Sequence, residues 1–256
     1  MSKITEIFKN NKAFIGFLTA GDPTLAKTEE FILTMEKAGA DLIEIGIPFS
    51  DPIAEGPVIE KANIRALSVG TTTDKIFDMV KRVRTKTDIS LVFLTYMNPV
   101  FVYGIKKFFK TCQEIGMNGI IIPDLPFEEK DEVLGIATSY GIDVITLIAP
   151  TSKDRIQMLA ENATGFIYLV SSMGVTGVRS EIKTDIGAIV KDIRQVSKTP
   201  IAVGFGISTP DQAKEISKTA DGVIVGSAIV RIIAEHGENA GDVLFDYVKS
   251  LKDAIL

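Results

Sequence analysis

The chain has 256 residues, of which 46% are hydrophobic and 24% charged, a composition typical of a globular protein with a sizeable core. Its net charge of −5 and its scattered Lys and Arg residues argue against binding of nucleic acid through a basic surface. Its single cysteine, Cys112, excludes an internal disulfide and a metal site built from several cysteines. We find no apolar signal core near Met1 and no run of about 18 apolar residues, so we expect a cytoplasmic protein without membrane contact.

Strand-type runs alternate with helix-type segments along the whole chain. Residues 1–11 are predicted to form an extra N-terminal helix that covers the bottom of the fold. Strands are predicted at residues 13–19, 41–47, 90–96, 119–123, 143–148, 165–170, 200–204 and 222–225. Helices are predicted at residues 26–38, 105–115, 130–140, 185–196, 210–218 and 242–254, among others. Gly39, Gly116 and Gly141 follow three of these segments, where glycine is a helix stop signal.

This alternation predicts an α/β fold with a parallel sheet and right-handed crossovers. Eight strand–helix repeats in about 250 residues are typical of a (β/α)8 TIM barrel, here one domain over residues 1–256. The alternative is a doubly wound open sheet, which usually has fewer strands and a glycine-rich turn after the first. The first predicted strand instead runs into Thr19-Ala-Gly-Asp-Pro23, which lacks that fingerprint.

The second predicted strand contains a lone carboxylate, Glu44. Alternation along the strand puts Glu44 on one face with Leu42 and Gly46, and both faces are largely apolar, as in a strand buried on both sides. Burial would raise the pKa of Glu44 towards neutral, which suits a general acid or base. The alternative is a structural Glu bonded to a Thr or Tyr. A glycine- and proline-rich loop follows and contains a second carboxylate, Glu55.

Three glycine-bearing turns follow the sixth, seventh and eighth predicted strands: Gly174-Val-Thr-Gly177, Gly204-Phe-Gly-Ile-Ser208 and Gly226-Ser-Ala228. The last one opens directly into a helical pattern, and a helix N-terminus with free N–H groups binds anions. Because TIM barrels often hold a phosphate between the loops after strands seven and eight, we predict a phosphate site there. One such turn alone would be an ordinary loop.

Four other polar or reactive residues have simpler interpretations. His236 is predicted to lie at a helix C-terminus, where it would interact favourably with the helix dipole. Cys112 is predicted to be a buried packing residue on a helix face. Asp124 is either catalytic or a brace for the 96–98 loop, and Asp22 is interpreted as a turn residue before Pro23.

These motifs together resemble the tryptophan synthase α subunit family. The resemblance runs from about Phe14 to Ala228 and rests on motifs in the family's order and spacing. They are Phe17-Leu-Thr-Ala-Gly-Asp-Pro23, Glu44-Ile-Gly-Ile-Pro-Phe-Ser-Asp-Pro52, Gly56-Pro57, Tyr96-Met-Asn98, Pro123-Asp-Leu-Pro126, Tyr168 and the three glycine turns.

The resemblance implies a carbon–carbon lyase of tryptophan biosynthesis that splits indole-3-glycerol phosphate into indole and glyceraldehyde 3-phosphate. It implies that Glu44 is the acid/base and that Glu55 bonds the indole N–H. Phe17, Leu94 and Ile148, or similar apolar residues, would sandwich the ring, beside Tyr168. The implied phosphate and substrate contacts are Thr176, Gly177, Gly206, Gly226 and Ser227.

The chain departs from the family pattern at Glu55, where the family usually has Asp. The extra methylene moves the carboxylate by on the order of 1 Å, and such a displacement can cost about 10²-fold in rate. The resemblance also implies a pyridoxal-phosphate β subunit as partner in an α2β2 heterotetramer, with no cofactor on this chain. The expected contacts with that partner are Asp51, Pro52 and residues 96–101.

Two rival hypotheses remain open at this point. One is another phosphate-sugar barrel enzyme, of the ribulose-phosphate epimerase or phosphoribosylanthranilate isomerase kind. A metal-dependent epimerase would need several His ligands, whereas this chain has one His, and the isomerase would need a Cys at the first strand end. The other is a regulatory subunit that binds ligand but has lost catalysis through the Glu55 change.

Overall fold

The computed structural model describes residues 2–150, 155–171, 186–204 and 206–256. Within these residues, nine strands form one sheet in which every neighbouring pair is parallel. The strands are β1 Ala13–Thr19, β2 Leu42–Gly46, β3 Ser90–Leu94, β4 Gly119–Ile121, β5 Asp143–Val144, β6 Thr146–Ile148, β7 Ile167–Val170, β8 Ile201–Gly204 and β9 Gly222–Val225.

The sheet closes at the fifth predicted strand, which is divided into β5 and β6 by Ile145. Its order is β5-β4-β3-β2-β1-β9-β8-β7-β6, so the two edge strands are consecutive in the chain. β5 pairs with β4, and β6 pairs with β7. One extended stretch therefore joins both edges, and the fold is a TIM barrel, as predicted.

The helices surround the barrel. Those of the described residues are α1 Lys3–Glu6, α2 Leu25–Lys37, α3 Pro57–Ser68, α4 Thr73–Arg84, α5 Met97–Tyr103, α6 Ile105–Glu114, α7 Asp131–Ser139, α8 Ile156–Glu161, α9 Ile186–Val196, α10 Pro210–Ser217, α11 Ser227–His236 and α12 Gly241–Ile255. None of them is long and apolar enough to cross a membrane. The glycines predicted to end helices do follow α2, α6 and α7, each with positive φ.

Two expectations about local structure need correction. The N-terminal helix α1 spans only Lys3–Glu6 rather than residues 1–11, although Ile4 is fully buried against the barrel interior as expected of a bottom cover. The predicted 96–98 loop is the start of a helix, because α5 begins at Met97. Pro99 lies in the first turn of α5, where its missing N–H breaks no hydrogen bond, so it did not exclude a helix there.

Strand alternation separates two apolar layers. Inward side chains fill the barrel, and outward side chains pack under the helices. The inner layer includes Ile15, Leu42, Val92, Ile121, Phe166 and Ile224. The outer layer includes Phe93 and Leu169 from the strands and Phe31, Phe77 and Phe108 from the helices that cover them. Glu44 lies on the inward side, since its strand neighbours Leu42 and Val92 both belong to the inner layer.

Candidate active site

A cavity lies at the carboxyl ends of the barrel strands and opens to solvent, with an empty volume of about 670 Å³ when the open solvent at its mouth is included. This is the end of a TIM barrel where active sites are built. Its described lining residues are Phe17, Glu44, Ala54, Glu55, Ile59, Leu94, Pro123, Leu147, Tyr168, Gly206, Ile207, Ile224, Gly226 and Ser227. The lining is mostly apolar, with two carboxylates.

Eight of the ten site residues predicted from the sequence line this cavity: Glu44, Glu55, Phe17, Leu94, Tyr168, Gly206, Gly226 and Ser227. The other two, Thr176 and Gly177, lie outside the described residues. The fold thus brings together residues from six strand ends and from the loop before α3. Their chemical roles remain predictions.

Glu44 is held by the backbone of β2. Its strand neighbours are Phe17 on β1 and Val92 on β3, and only 1% of the residue is exposed. Its Oε1 atom has no hydrogen-bond partner within the described residues, which speaks against a purely structural bonding network. Burial raises the pKa of Glu44 to about 8, so this carboxyl is largely protonated at neutral pH.

Glu55 is held by side chains. It lies in the loop before α3, yet only 8% of it is exposed. Asn63 Nδ2 donates a hydrogen bond of 2.6 Å to Glu55 Oε2. Burial raises the pKa of Glu55 to about 7, against the lowering effect of hydrogen bonds from Asn63 and Tyr96. The same pocket thus contains one carboxyl that is mostly protonated near pH 7 and one that is about half ionised.

Tyr96 connects the Glu55 loop to the next strand end. Its hydroxyl accepts a hydrogen bond of 3.1 Å from the Ala54 N–H, and its ring lies 5.4 Å from the Phe49 ring, centre to centre. Asp124 Oδ1 accepts a bond of 2.9 Å from the Met97 N–H at the start of α5. Asp124 is not among the described residues that line the cavity, so its geometry supports the bracing interpretation.

The apolar walls come from strands and from α3. Phe17, Leu94 and Leu147 line the cavity, together with Ile59. The expectation that Ile148 contributes to the wall is wrong, because Ile148 belongs to the outer layer and its neighbour Leu147 faces inward. The two residues alternate across the strand, so an error of one position exchanges the two faces.

Two glycines make room for the aromatic walls. A Cβ on Gly46 would lie 2.7 Å from Cζ of Phe17, and a Cβ on Gly204 would lie 2.7 Å from Cζ of Tyr168. Any side chain at either position would therefore displace a ring that lines the cavity. Gly204 was predicted as part of a phosphate turn, but its close neighbour is the Tyr168 ring. Burial and the nearby Glu44 raise the pKa of Tyr168, so its hydroxyl stays protonated.

The opposite side of the cavity consists of backbone. Gly226 is the N-cap of the ten-residue helix α11, no side chain of the described residues caps that end, and Ser227 is the first helical residue. Gly206 has a φ of 83° in the turn after β8. Tyr247 supports this turn by donating a hydrogen bond of 2.8 Å to the Ser208 carbonyl. No Lys or Arg is among the described lining residues, so an anion here would bind to N–H groups and the helix dipole.

Three residues set aside in the sequence have clear surroundings. His236 is the last residue of α11, and Cys112 is buried in α6, as predicted. Asp22 is more than a turn residue. It is 3% exposed, and both of its carboxylate oxygens accept hydrogen bonds from Arg65 on α3, at 2.8 and 2.7 Å.

Sequence reasoning missed Asn63. Its side chain lies on the buried face of α3 with Ile59, Ala62 and Ala66. The available signal was a polar amide at a position where helical spacing predicts an apolar residue. It was not used because α3 was not assigned from the sequence.

The comparisons with known proteins agree with this geometry. The family model described as "Tryptophan synthase alpha chain" matches residues 4–254. The tryptophan synthase alpha chain of Lacticaseibacillus casei is 47% identical over 255 residues, covering 100% of this chain and 96% of the relative. That of Lactiplantibacillus plantarum is 48% identical over 256 residues, covering 100% and 97%.

Solved structures give the same result. The tryptophan synthase alpha chain of Legionella pneumophila has a TM-score of 0.89 and 33% identity, covering 100% of this chain and 97% of that one. A chain from a study of mutual activation of the tryptophan synthase α2β2 complex of Pyrococcus furiosus has a TM-score of 0.88 and 37% identity, covering 94% and 98%.

Proposed function

The chain belongs to the tryptophan synthase alpha chain family, and from this premise we propose that it cleaves indole-3-glycerol phosphate into indole and glyceraldehyde 3-phosphate. Membership indicates a lyase-type enzyme, and the specific reaction is the proposal. One observation supports it above all. Two buried carboxyl groups with raised pKa values share an apolar pocket with the N-terminus of α11.

The reaction is a retro-aldol cleavage of the bond between the indole ring and the glycerol chain. C3 of the ring must first gain a proton, which leaves positive character on the ring nitrogen. The glycerol hydroxyl next to the ring must then lose its proton while the C–C bond breaks. The electrons of that bond return to the ring, and the products are indole and an aldehyde.

Glu44 suits both proton transfers. With a pKa of about 8 it is mostly protonated at neutral pH and can give its proton to C3. The resulting carboxylate is buried in an apolar pocket and is therefore a strong base for the glycerol hydroxyl proton. Glu44 regains its proton in that step, so the cycle leaves it unchanged.

Glu55 suits the role of stabilising the ring nitrogen. Its ionised form would accept a hydrogen bond from the indole N–H and offset the positive charge that develops on the ring. Phe17, Leu94 and Leu147 would contact the flat ring, because apolar walls favour an aromatic ligand. Gly206, Gly226 and Ser227 would bind the phosphate through the backbone, and Thr176 and Gly177 stay in the proposal as predictions.

The proposal includes a β subunit as partner in an α2β2 heterotetramer, with pyridoxal phosphate expected only in that subunit and a cytoplasmic location. The predicted contact regions lie beside large exposed apolar side chains. Ile53 follows Asp51 and Pro52 and is 72% exposed, and Phe101 and Val102 on α5 are 68% and 77% exposed. Such groups favour burial against another protein.

The test is release of indole from indole-3-glycerol phosphate by the purified chain, alone and with a β subunit. We expect weak release alone and strong stimulation by the partner. No release with a competent partner, despite binding of glycerol 3-phosphate, would favour the regulatory hypothesis instead.

The phosphate end is tested separately by Gly226→Asp. The new carboxylate would lie at the end of α11 where the phosphate is proposed, so we expect glycerol 3-phosphate to bind at least about tenfold more weakly. The matched control is Gly135→Asp, since nothing lies within 4 Å of a Cβ added at that position on α7. Unchanged affinity in Gly226→Asp would remove the phosphate from this turn.

A further inference from the structure

Asn63 is an amide on an otherwise apolar helix face. It is 4% exposed, and its neighbours on the buried face of α3 are Ile59, Ala62 and Ala66. An amide in such surroundings is costly unless it is hydrogen-bonded. Its side-chain nitrogen donates to Glu55 Oε2 at 2.6 Å, so the amide and the carboxylate satisfy each other.

The loop that contains Glu55 does not by itself fix the carboxylate. Ser50, Asp51 and Ile53 are all exposed, so that part of the loop has little packing of its own. Glu55 is nevertheless buried. The constraint on its side chain therefore comes from outside the loop, from Asn63 on α3 and from Tyr96.

The position of α3 is itself fixed by an ion pair. Arg65 lies two residues after Asn63 and uses Nε and Nη2 to bond both oxygens of Asp22, which follows β1. A bidentate pair of this kind fixes direction as well as distance. Pro57 at the first helical position restricts the other end of α3. The rotation of α3, and with it the direction of Asn63, is thereby set against the barrel.

We propose that Asn63 is a positioning residue that holds one oxygen of the Glu55 carboxylate and so directs the carboxylate towards the N–H of the substrate's ring. This inference rests on the proposed function and extends it to a residue outside the cavity lining. The Glu55 side chain is thereby anchored at its tip by an amide on α3.

The test uses two variants that remove a side-chain amide, Asn63→Leu at a buried position and Asn118→Leu at a partly buried one. Asn118 also bonds neighbouring groups, the Leu91 N–H and Arg84, but it lies on the strand-bottom side, away from the cavity lining. Both changes should lower stability. Asn63→Ser is a milder second variant, because its hydroxyl is too short to reach Glu55.

Two quantities are measured on each variant. The titration midpoint of the Glu55 carboxyl is followed by ¹³C NMR on protein labelled at the Glu side-chain carboxyl, with the signal identified by its loss in Glu55→Gln. Indole release in the complex with a β subunit gives kcat and KM. The first readout does not depend on turnover.

We expect the Glu55 midpoint to rise by about 1 pH unit in Asn63→Leu and Asn63→Ser, since a hydrogen bond that favours the charged form is lost. In the same variants kcat should fall about tenfold with a smaller change in KM. Asn118→Leu should change neither quantity. An unmoved midpoint in the Asn63 variants, or an equal shift in Asn118→Leu, would overturn the inference while leaving the proposed reaction intact. If the Glu55 midpoint shifts in the Asn63 variants but the wild-type chain releases no indole, the positioning role of Asn63 is supported and the proposed reaction is rejected.

Discussion

Glu44 and Glu55 lie in one pocket, but the protein holds them by different means. Glu44 is on a central strand, and its place follows from the backbone and the inward alternation of β2. Glu55 is on a loop, and its place follows from hydrogen bonds with Asn63 and Tyr96. Burial raises both pKa values, yet only Glu55 has these donors to stabilise its ionised form.

The difference shows how one pocket can contain an acid and an anion at the same pH. The Glu44 carboxyl, whose Oε1 has no partner among the residues that the structure describes, has a pKa of about 8, and the bonded Glu55 carboxyl has a pKa of about 7. We therefore expect any substitution of Glu44 to abolish its proton transfers. We expect the role of Glu55 to depend on the side chains that hydrogen-bond to it. The predictions below test this contrast in order of expected size.

The largest effect is expected for Glu44→Gln. The amide cannot donate a proton to C3 or remove one from the glycerol hydroxyl, so indole release should fall by about 10³-fold or more. Binding of glycerol 3-phosphate, measured by calorimetry, should stay within about threefold of wild type, because the phosphate end is untouched. A variant that kept a tenth of the wild-type rate would remove Glu44 from the acid/base role.

Glu55→Asp should have the second largest effect. Shortening the side chain by one methylene withdraws the carboxylate from Asn63 by about 1 Å, which breaks the 2.6 Å bond and misplaces the charge. We expect kcat/KM for indole release to fall about 10²-fold. Glu114→Asp, an exposed change on α6, is the control. Full activity in Glu55→Asp would show that the loop, rather than the hydrogen bond from Asn63, sets the position of the carboxylate.

A third prediction concerns stability. Glu44 has a pKa of about 8 in the folded chain and 4.5 when unfolded, so the folded state keeps a proton that the unfolded state loses between these values. The contribution of Glu44 to stability is present in full below pH 4.5 and is lost as the pH rises through 8. Glu44→Gln should therefore raise the free energy of unfolding by about 4 kcal/mol at pH 8 relative to its effect at pH 4.5. Urea unfolding at both pH values measures this, and equal differences would contradict it.

The smallest effect is expected for Tyr96→Phe. Loss of the hydroxyl removes one donor from Glu55 and the acceptor of the Ala54 N–H, so kcat/KM should fall about fivefold, equivalent to about 1 kcal/mol. The acidic limb of the pH–rate profile should move to higher pH, because Glu55 would hold its proton longer. Tyr103 lies at the other end of α5, and its hydroxyl bonds Asp74 on α4. Tyr103→Phe should therefore leave that limb in place. Equal shifts in both variants would assign the effect to α5 as a whole.

Much of the barrel was predictable because strands buried on both faces are continuous apolar runs between glycine and proline signals. Residues 13–19 and 222–225 match β1 and β9 at both ends. The division of β5 from β6 at Ile145 was not predictable, since no turn residue marks it. The shortness of α1 was missed because isolated helical turns depend on tertiary packing rather than on propensity.

That Glu44 lies on a buried strand was predictable from the apolar run around it, whereas its place in the site followed from the resemblance. The surroundings of Glu55 were not predictable, because they depend on the rotation of α3, which is fixed by a contact between Arg65 and the distant Asp22. For the same reason Asn63 was overlooked. The choice between Ile148 and Leu147 required the exact register of β6, and the sequence pattern does not specify register to one residue there.

The two glycines beneath the aromatic walls divide the pocket into parts that mutation can and cannot reshape. A larger residue at Gly46 or Gly204 would push Phe17 or Tyr168 out of place. Even the smallest substitution at these two positions would therefore disturb the pocket. None of the described glycines has Leu94, Leu147 or Ile59 among its nearest contacts, so we expect that these side chains can be enlarged or trimmed. Directed evolution towards substituted indoles should therefore accumulate changes on the leucine and isoleucine side of the cavity, with both glycines left as they are.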